Sequence, residues 1–348
     1  MEHRTWQDPR GSGQSQGRAW SPAGAGRAAG RARWTSPLLA LLVCLVAAAA
    51  PPSPPAGQEE EPAGDPRTLA GLPGWIVFDS RREGQFDIWK MRPDGTQAVR
   101  LTTDPTWETA PDWSPDGRRI VFARKDPEVD DEGNSIWIMD ADGSRQRLLV
   151  RHGSAPQFAA DGRSIIFERD RISLHRYNLE TGHQQHLFES PRARNFPWQM
   201  IKPRLSPDGL AVAFISDKGG KWHSWTMDRR GRTREIGYGC QPFWRPDGRR
   251  IFYIAEGSYN ETAIWSLDWP DGSRREHLRL QGTYRHVYFP SVSDDGRWLL
   301  FAACPANQHD HSSAHYQIFI APLEGGVPIR LSRNDFTERW PRLSTAAR

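Results

Sequence analysis

Nowhere does the 348-residue sequence hold an apolar run of membrane-spanning length. The longest, PLLALLVCLVAAAA at Pro37–Ala50, is about 14 residues, against the roughly 20 that a spanning helix needs. Cysteine is scarce. Of three in all, Cys44 lies inside that run, which leaves Cys240 and Cys304 downstream. An excess of positive charge is also missing from most of the chain. Residues 1–50 carry Arg4, Arg10, Arg18, Arg27, Arg31 and Arg33 against Glu2 and Asp8, which accounts for the whole formal +4. With the remainder neutral and no lysine-rich run, the electrostatic footprint of a duplex-binding protein is absent, and nucleic acid is excluded as a partner. A serine-hydrolase motif is lacking as well: the G-x-S-x-G match, GQSQG at Gly13–Gly17, sits in the first fifty residues with no strand–turn–helix context.

What is there begins with an export-like leader over 1–50, arginine-containing and rich in Gly and Ala before the apolar run. A cleaved signal peptide fits that run better than a permanent anchor. The small residues Ala47–Ala50 suit a signal peptidase, although Pro51 and Pro52 disfavour cleavage directly before them. Lipid attachment at Cys44 is an alternative that Leu41-Leu42-Val43 fits poorly, and a start codon placed too far upstream would explain the long first segment. Each reading takes the mature protein out of the cytoplasm, to a periplasmic or extracellular site, with no transmembrane span after cleavage. Residues 51–72, rich in Pro, Gly and Glu, read as a disordered tether.

From Trp75 the chain repeats. APDWSPDGRRIVF, APQFAADGRSIIF, KPRLSPDGLAVAF, QPFWRPDGRRIFY and FPSVSDDGRWLLF place Asp-Gly pairs at 116, 161, 208, 247 and 295, separations of 45, 47, 39 and 48 residues. Such periods mark a propeller or a solenoid. Each Asp-Gly is expected to be the two-residue connection of a tight hairpin, followed by a buried strand. A second hairpin follows in every unit: FDIWKMRPDG, SIWIMDADG, ISLHRYNLETG, HSWTMDRRG, AIWSLDWPDG and QIFIAPLEGG. Six second hairpins face five first ones. The missing strand is RWPRLS at Arg339–Ser344, and WIVFDS at Trp75–Ser80 is a second strand with no first strand before it. The expected architecture over 73–348 is therefore an all-β, six-bladed β-propeller closed by pairing N- and C-terminal strands in one blade.

The unit P-x-W-S-P-D-G-x-x-I-x-F, then x-I-W-x-M-D-x-D-G, then x-x-L-T resembles the WD40-like repeat of TolB-type six-bladed propellers from Trp75 to Ser344. That resemblance implies the fold and export. It departs from TolB itself, which carries a further α/β domain before the propeller, so the Tol–Pal role is not inherited with the fold. Within the repeat, Trp113, Phe158, Leu205, Trp244, Val292 and Leu343 are equivalent and are expected to pack between blades, as are Trp89, Trp137, Trp225, Trp265 and Phe319.

Function is expected on the face carrying the longer loops, opposite the Asp-Gly turns. There CPANQHDHSSAHYQIF holds His309, Asp310, His311 and His315, and TYRHVYFP holds Arg285, His286 and Tyr288, with Arg339 and Trp340 at the closing strand. These nine residues are the candidate binding set. Extended backbone would put His309 and His311 on one side, and with His286 or His315 they offer three nitrogens suited to a divalent metal, zinc or manganese. Two further functional classes stand beside a non-catalytic monomer that binds an envelope protein or carbohydrate ligand. One is a metal-dependent lyase, because oligogalacturonate lyases have a similar propeller with histidines and a glutamine at a manganese site. Gln308, His309, His311 and His286 are the candidates for such a site here. The other is an accessory propeller of a peptidase-like system. Cys240 and Cys304, both on the longer-loop face, are either disulfide-bonded or two free thiols.

Overall fold

The computed structural model describes residues 64–347, apart from 127–132, 191, 194–195, 218–221, 257–260 and 306–310. Strands dominate and make six antiparallel four-stranded sheets, with a two-residue hairpin (Arg192–Ala193 with Phe196–Pro197) beside them. Numbered in chain order, blade 2 runs Glu108–Trp113, Arg119–Lys125, Asn134–Asp140 and Arg147–Val150 from the axis outward. Blades 3 to 6 repeat that order, their inner strands being Ser154–Phe158, Ile201–Leu205, Cys240–Trp244 and His286–Val292. Blade 1 takes its inner strand from the far end of the chain. Glu338–Ser344 pairs antiparallel with Trp75–Ser80, registering Trp75 with Ser344 and Ser80 with Glu338.

Apolar packing closes the ring as the strand count requires. An open row of six sheets has five interfaces, but here six separate clusters of buried side chains each join two neighbouring blades. The sixth cluster packs Ile76, Phe78 and Leu343 of blade 1 against Leu300, Ile318 and Ile320 of blade 6. Leu69 joins it. Within the stretch 51–72 read from sequence as a tether, Pro66–Leu69 forms a 3-10 turn capped by Asp65 and buries Leu69 against the seam, while 51–63 lie outside the described residues.

The Asp-Gly turns differ in detail from a two-residue connection. Gly117 N donates to Ser114 O at 2.8 Å, so Pro115 and Asp116 are the central residues and Gly117, at φ 67°, closes the turn in the left-handed region. Only glycine takes that conformation without strain. Asp116 Oδ1 accepts from Ser114 Oγ at 2.5 Å and Arg118 N at 3.1 Å, while Ser114 Oγ accepts from Arg119 N at 2.9 Å. The same network recurs at Ser206–Asp208 and Ser293–Asp295. That is the physical content of the repeated Ser-x-Asp-Gly. Among the described residues no helix is long and apolar enough to cross a membrane.

Candidate functional site

Every inner strand carries one irregularity, and the sites follow from it. The residue before the repeated proline has a left-handed backbone in all six blades: Ala110 (φ 52°), Ala155 (48°), Lys202 (49°), Gln241 (53°), Phe289 (56°) and Trp340 (54°). Residues preceding proline are normally extended, so six repetitions of this geometry indicate a built feature. At each, the pairing with the second strand shifts register, as a β-bulge does. A bulge leaves an amide outside the ladder. Side chains of the preceding blade satisfy several of these: Asp79 Oδ2 accepts from Ala110 N at 3.2 Å, Glu168 Oε2 from Lys202 N at 2.8 Å, and Gln241 Oε1 from Phe289 N at 2.6 Å.

On the longer-loop face five of the six bulge residues, all but Gln241, line a funnel of about 540 Å³. Its working groups are Lys202, Glu168, Phe289, His311, Arg339 and Trp340. Lys202 Nζ lies 4.8 Å from the centre of the Trp340 ring, which packs on Phe289 at 4.7 Å. Burial is the leading cause of a Lys202 pKa lowered to about 8 and of a Glu168 pKa raised to about 7. Both groups thus titrate near neutrality, and displaced pKa values of this kind concentrate at functional sites. Arg339 is fixed in place: Nε meets Asp79 Oδ1 at 3.0 Å, Nη1 donates to His311 O at 2.7 Å, and the guanidinium lies 3.6 Å from the Phe86 ring centre.

Of the known structures, TolB from Acinetobacter baumannii superposes with a TM-score of 0.60 at 18% identity, covering 78% of this chain and 66% of that one. The fold is that of a TolB-type six-bladed β-propeller. No family model matches the sequence. An uncharacterized peptidase, YuxL of Bacillus subtilis, is 25% identical over 223 residues, 60% of this chain and 31% of its own length. The Tol-Pal system protein TolB of Nitratidesulfovibrio vulgaris is 27% identical over 139 residues, 38% of this chain and 29% of its own. The chain thus spans about a third of the length of these curated relatives.

In this TolB-type propeller the nine candidate residues separate into groups. His311, Arg339 and Trp340 line the funnel. His286 and Tyr288 stand behind its wall, 1% and 2% exposed, with the Tyr288 ring 4.7 Å from His286 and 4.4 Å from His311. Arg285 pairs with Glu261 at 3.3 Å and His315 is exposed, and neither lines the funnel. His309 and Asp310 lie outside the described residues. The metal expectation named His286, His309 and His311; among the described residues no three His, Cys, Asp or Glu side chains come together as a metal site requires. With His309 outside the described residues that set is not seen whole; His286 and His311 both pack on the Tyr288 ring.

The six equivalent apolar residues Trp113, Phe158, Leu205, Trp244, Val292 and Leu343 do reach neighbouring blades: Trp113 Nε1 donates to Arg342 O at 3.1 Å and Trp244 Nε1 to Arg204 O at 2.8 Å. They also line the central channel on the Asp-Gly face. Cys240 and Cys304 are free thiols, and burial pushes Cys304 up to about 12. Sequence reading missed Lys202, Glu168 and Phe289. The repeat register offered a signal for two of them, because Lys202 and Phe289 occupy the same position before proline as Trp340.

Proposed function

We propose that this chain is an exported, non-catalytic binding propeller that engages a protein segment through the funnel on its longer-loop face. The leader at 1–50 supports export, and the Tol-Pal relative supports a protein partner. The observation that carries the reading is the grouping of Lys202, Arg339 and His311 with the aromatic faces of Trp340 and Phe289 around one open funnel. Cationic and aromatic groups at a concave mouth are the usual anchors of a protein contact.

Recovery of partners from cell-envelope extract on the immobilised mature protein tests this. Lys202→Gly removes the side chain at a backbone position that glycine accepts, and Lys202→Glu reverses its charge. A protein retained by wild type and depleted at least fivefold on both variants supports the reading; equal recovery on all three refutes it.

A further inference from the structure

Arg204 lines both the funnel and a second cavity on the Asp-Gly face, and around it stands a group of residues drawn from four blades. Arg204, Arg342, Phe243 and Asp112 sit two positions beyond the bulge residues of blades 4, 1, 5 and 2. Arg342 lies 4.4 Å and Arg204 5.8 Å from the Phe243 ring centre, on the guanidinium carbon. Asp112 Oδ1 is 3.5 Å from Arg342 Nε, which makes no hydrogen bond among the described residues. Arg204 is 5% exposed and lines both cavities, and the carboxylates that act on it are Asp112 and Glu168. Two buried guanidinium groups thus share Asp112, Glu168 acts on Arg204 alone of the two, and Arg342 Nη1 donates to Pro290 O at 3.3 Å. Charge buried without a hydrogen-bonding partner is costly, and an arginine fork is shaped for a bidentate oxyanion.

The wall leading to this point from the Asp-Gly face is mainly apolar, with Arg176 also on it. Trp113, Phe158, Leu205, Trp244, Val292 and Leu343 ring a cavity of about 440 Å³, whose floor holds Arg204 and Arg342. Its size is that of a small-ligand site, and its pattern is an apolar body with a few convergent polar groups at one end. Beside the floor, Gln157 Nε2 is buried without a hydrogen-bond partner among the described residues, a further donor at the same place. The Asp-Gly turn carboxylates at the rim are engaged in their own turns, as Asp208 is with Ser206 and Leu210.

We propose that this cavity is a second binding site, on the face opposite the funnel, for a monocarboxylate with an apolar body whose carboxylate is held by Arg204 and Arg342. The ligand is either a free amphiphilic acid or the C-terminal carboxylate of an apolar peptide, which share the chemistry that the floor recognises. Charge-assisted, bidentate contact at the floor supplies selectivity for the acid, and the ring of six side chains supplies burial for the body.

Calorimetric titration of the whole mature protein tests this with four probes: nonanoate, nonanol, an N-acetylated tripeptide ending in leucine, and the amide of that tripeptide. At least one acid is expected to bind at least tenfold more tightly than its neutral counterpart, and which acid wins tells a free amphiphile from a chain terminus. Arg204→Met is expected to weaken that binding at least tenfold. Leu205→Trp, which fills the cavity while leaving Arg204 in place, is expected to abolish it, and decides the matter if Arg204→Met folds poorly. Equal binding of acid and neutral probe, no binding of either acid, or unchanged affinity in a folded Leu205→Trp variant overturns the proposal.

Discussion

Arg339 Nε lies 3.0 Å from Asp79 Oδ1, joining two buried side chains 260 positions apart in the sequence within one blade. The pair reaches beyond that blade. Asp79 also accepts from Ala110 N of blade 2, and Arg339 donates to His311 O of blade 6. Removing one partner of a buried ion pair leaves an uncompensated charge, at a cost of about 3–5 kcal/mol. Arg339→Met is therefore expected to lose that much in denaturant unfolding, with Arg339→Met/Asp79→Leu recovering part of it. A single variant within about 0.5 kcal/mol of wild type would show that water, not Arg339, solvates Asp79.

Deleting 339–348 is a stronger test of the same seam. It removes most of the inner strand Glu338–Ser344, every residue of which is buried, and the carbonyl that receives Trp113 Nε1. The truncated protein is expected to lose its cooperative thermal transition, since the open edge exposes the clusters on both sides of blade 1. An unchanged melting curve would refute closure through these residues.

The six bulges predict an unusual pattern of substitution. Ala155 is at φ 48° on the funnel wall, where a β-branched side chain is strongly disfavoured and glycine is at ease. Ala155→Val is expected to destabilise by about 1–3 kcal/mol. Ala155→Gly should stay within about 1 kcal/mol of wild type, because strain relief offsets the added freedom of the unfolded chain. Scanning calorimetry of both variants reads the order, and a valine variant as stable as the glycine variant would remove the left-handed assignment.

Glu168 gives the pH dependence a sign. Its carboxyl is raised from the ordinary 4.5 to about 7, with burial the leading cause. The folded state therefore holds a proton that the unfolded chain releases, and the contribution is fully present below pH 4.5 and lost as pH rises through 7. Glu168→Gln lacks this titration. Between pH 4.5 and 8 the variant is expected to gain on wild type by up to about 3 kcal/mol, measured as the difference of two denaturation curves. A difference that does not change with pH would mean that Glu168 ionises freely in the folded protein.

The thiols make the last prediction. With Cys304 fully buried and its thiol pushed up to about 12, it should resist a thiolate-selective reagent until the protein unfolds, whereas the partly exposed Cys240 should react first. Both should react under denaturing, non-reducing conditions. Failure of either to react there would indicate a disulfide.

The number of blades, the strand that closes them and the places of the Asp-Gly turns, though not their Ser-x-Asp-Gly geometry, were legible in the sequence because they rest on local rules. Strand alternation, turn chemistry and repeat register each involve residues within a few positions of one another. The longer-loop face was legible too, as was the place of His311, Arg339 and Trp340 upon it. The grouping of Lys202 and Glu168 with Trp340 was not, nor was that of Arg204 with Arg342 and Phe243. These groups draw on different blades, and bulges that break the two-residue alternation of a strand decide which side chains reach the axis. Nor did His286 and Tyr288 declare their burial, since position on an entry strand says nothing of whether a ring turns to the channel or to the neighbouring blade. Sequence periodicity set the scaffold; the side-chain environments at the axis exist only once six inner strands are brought together around it.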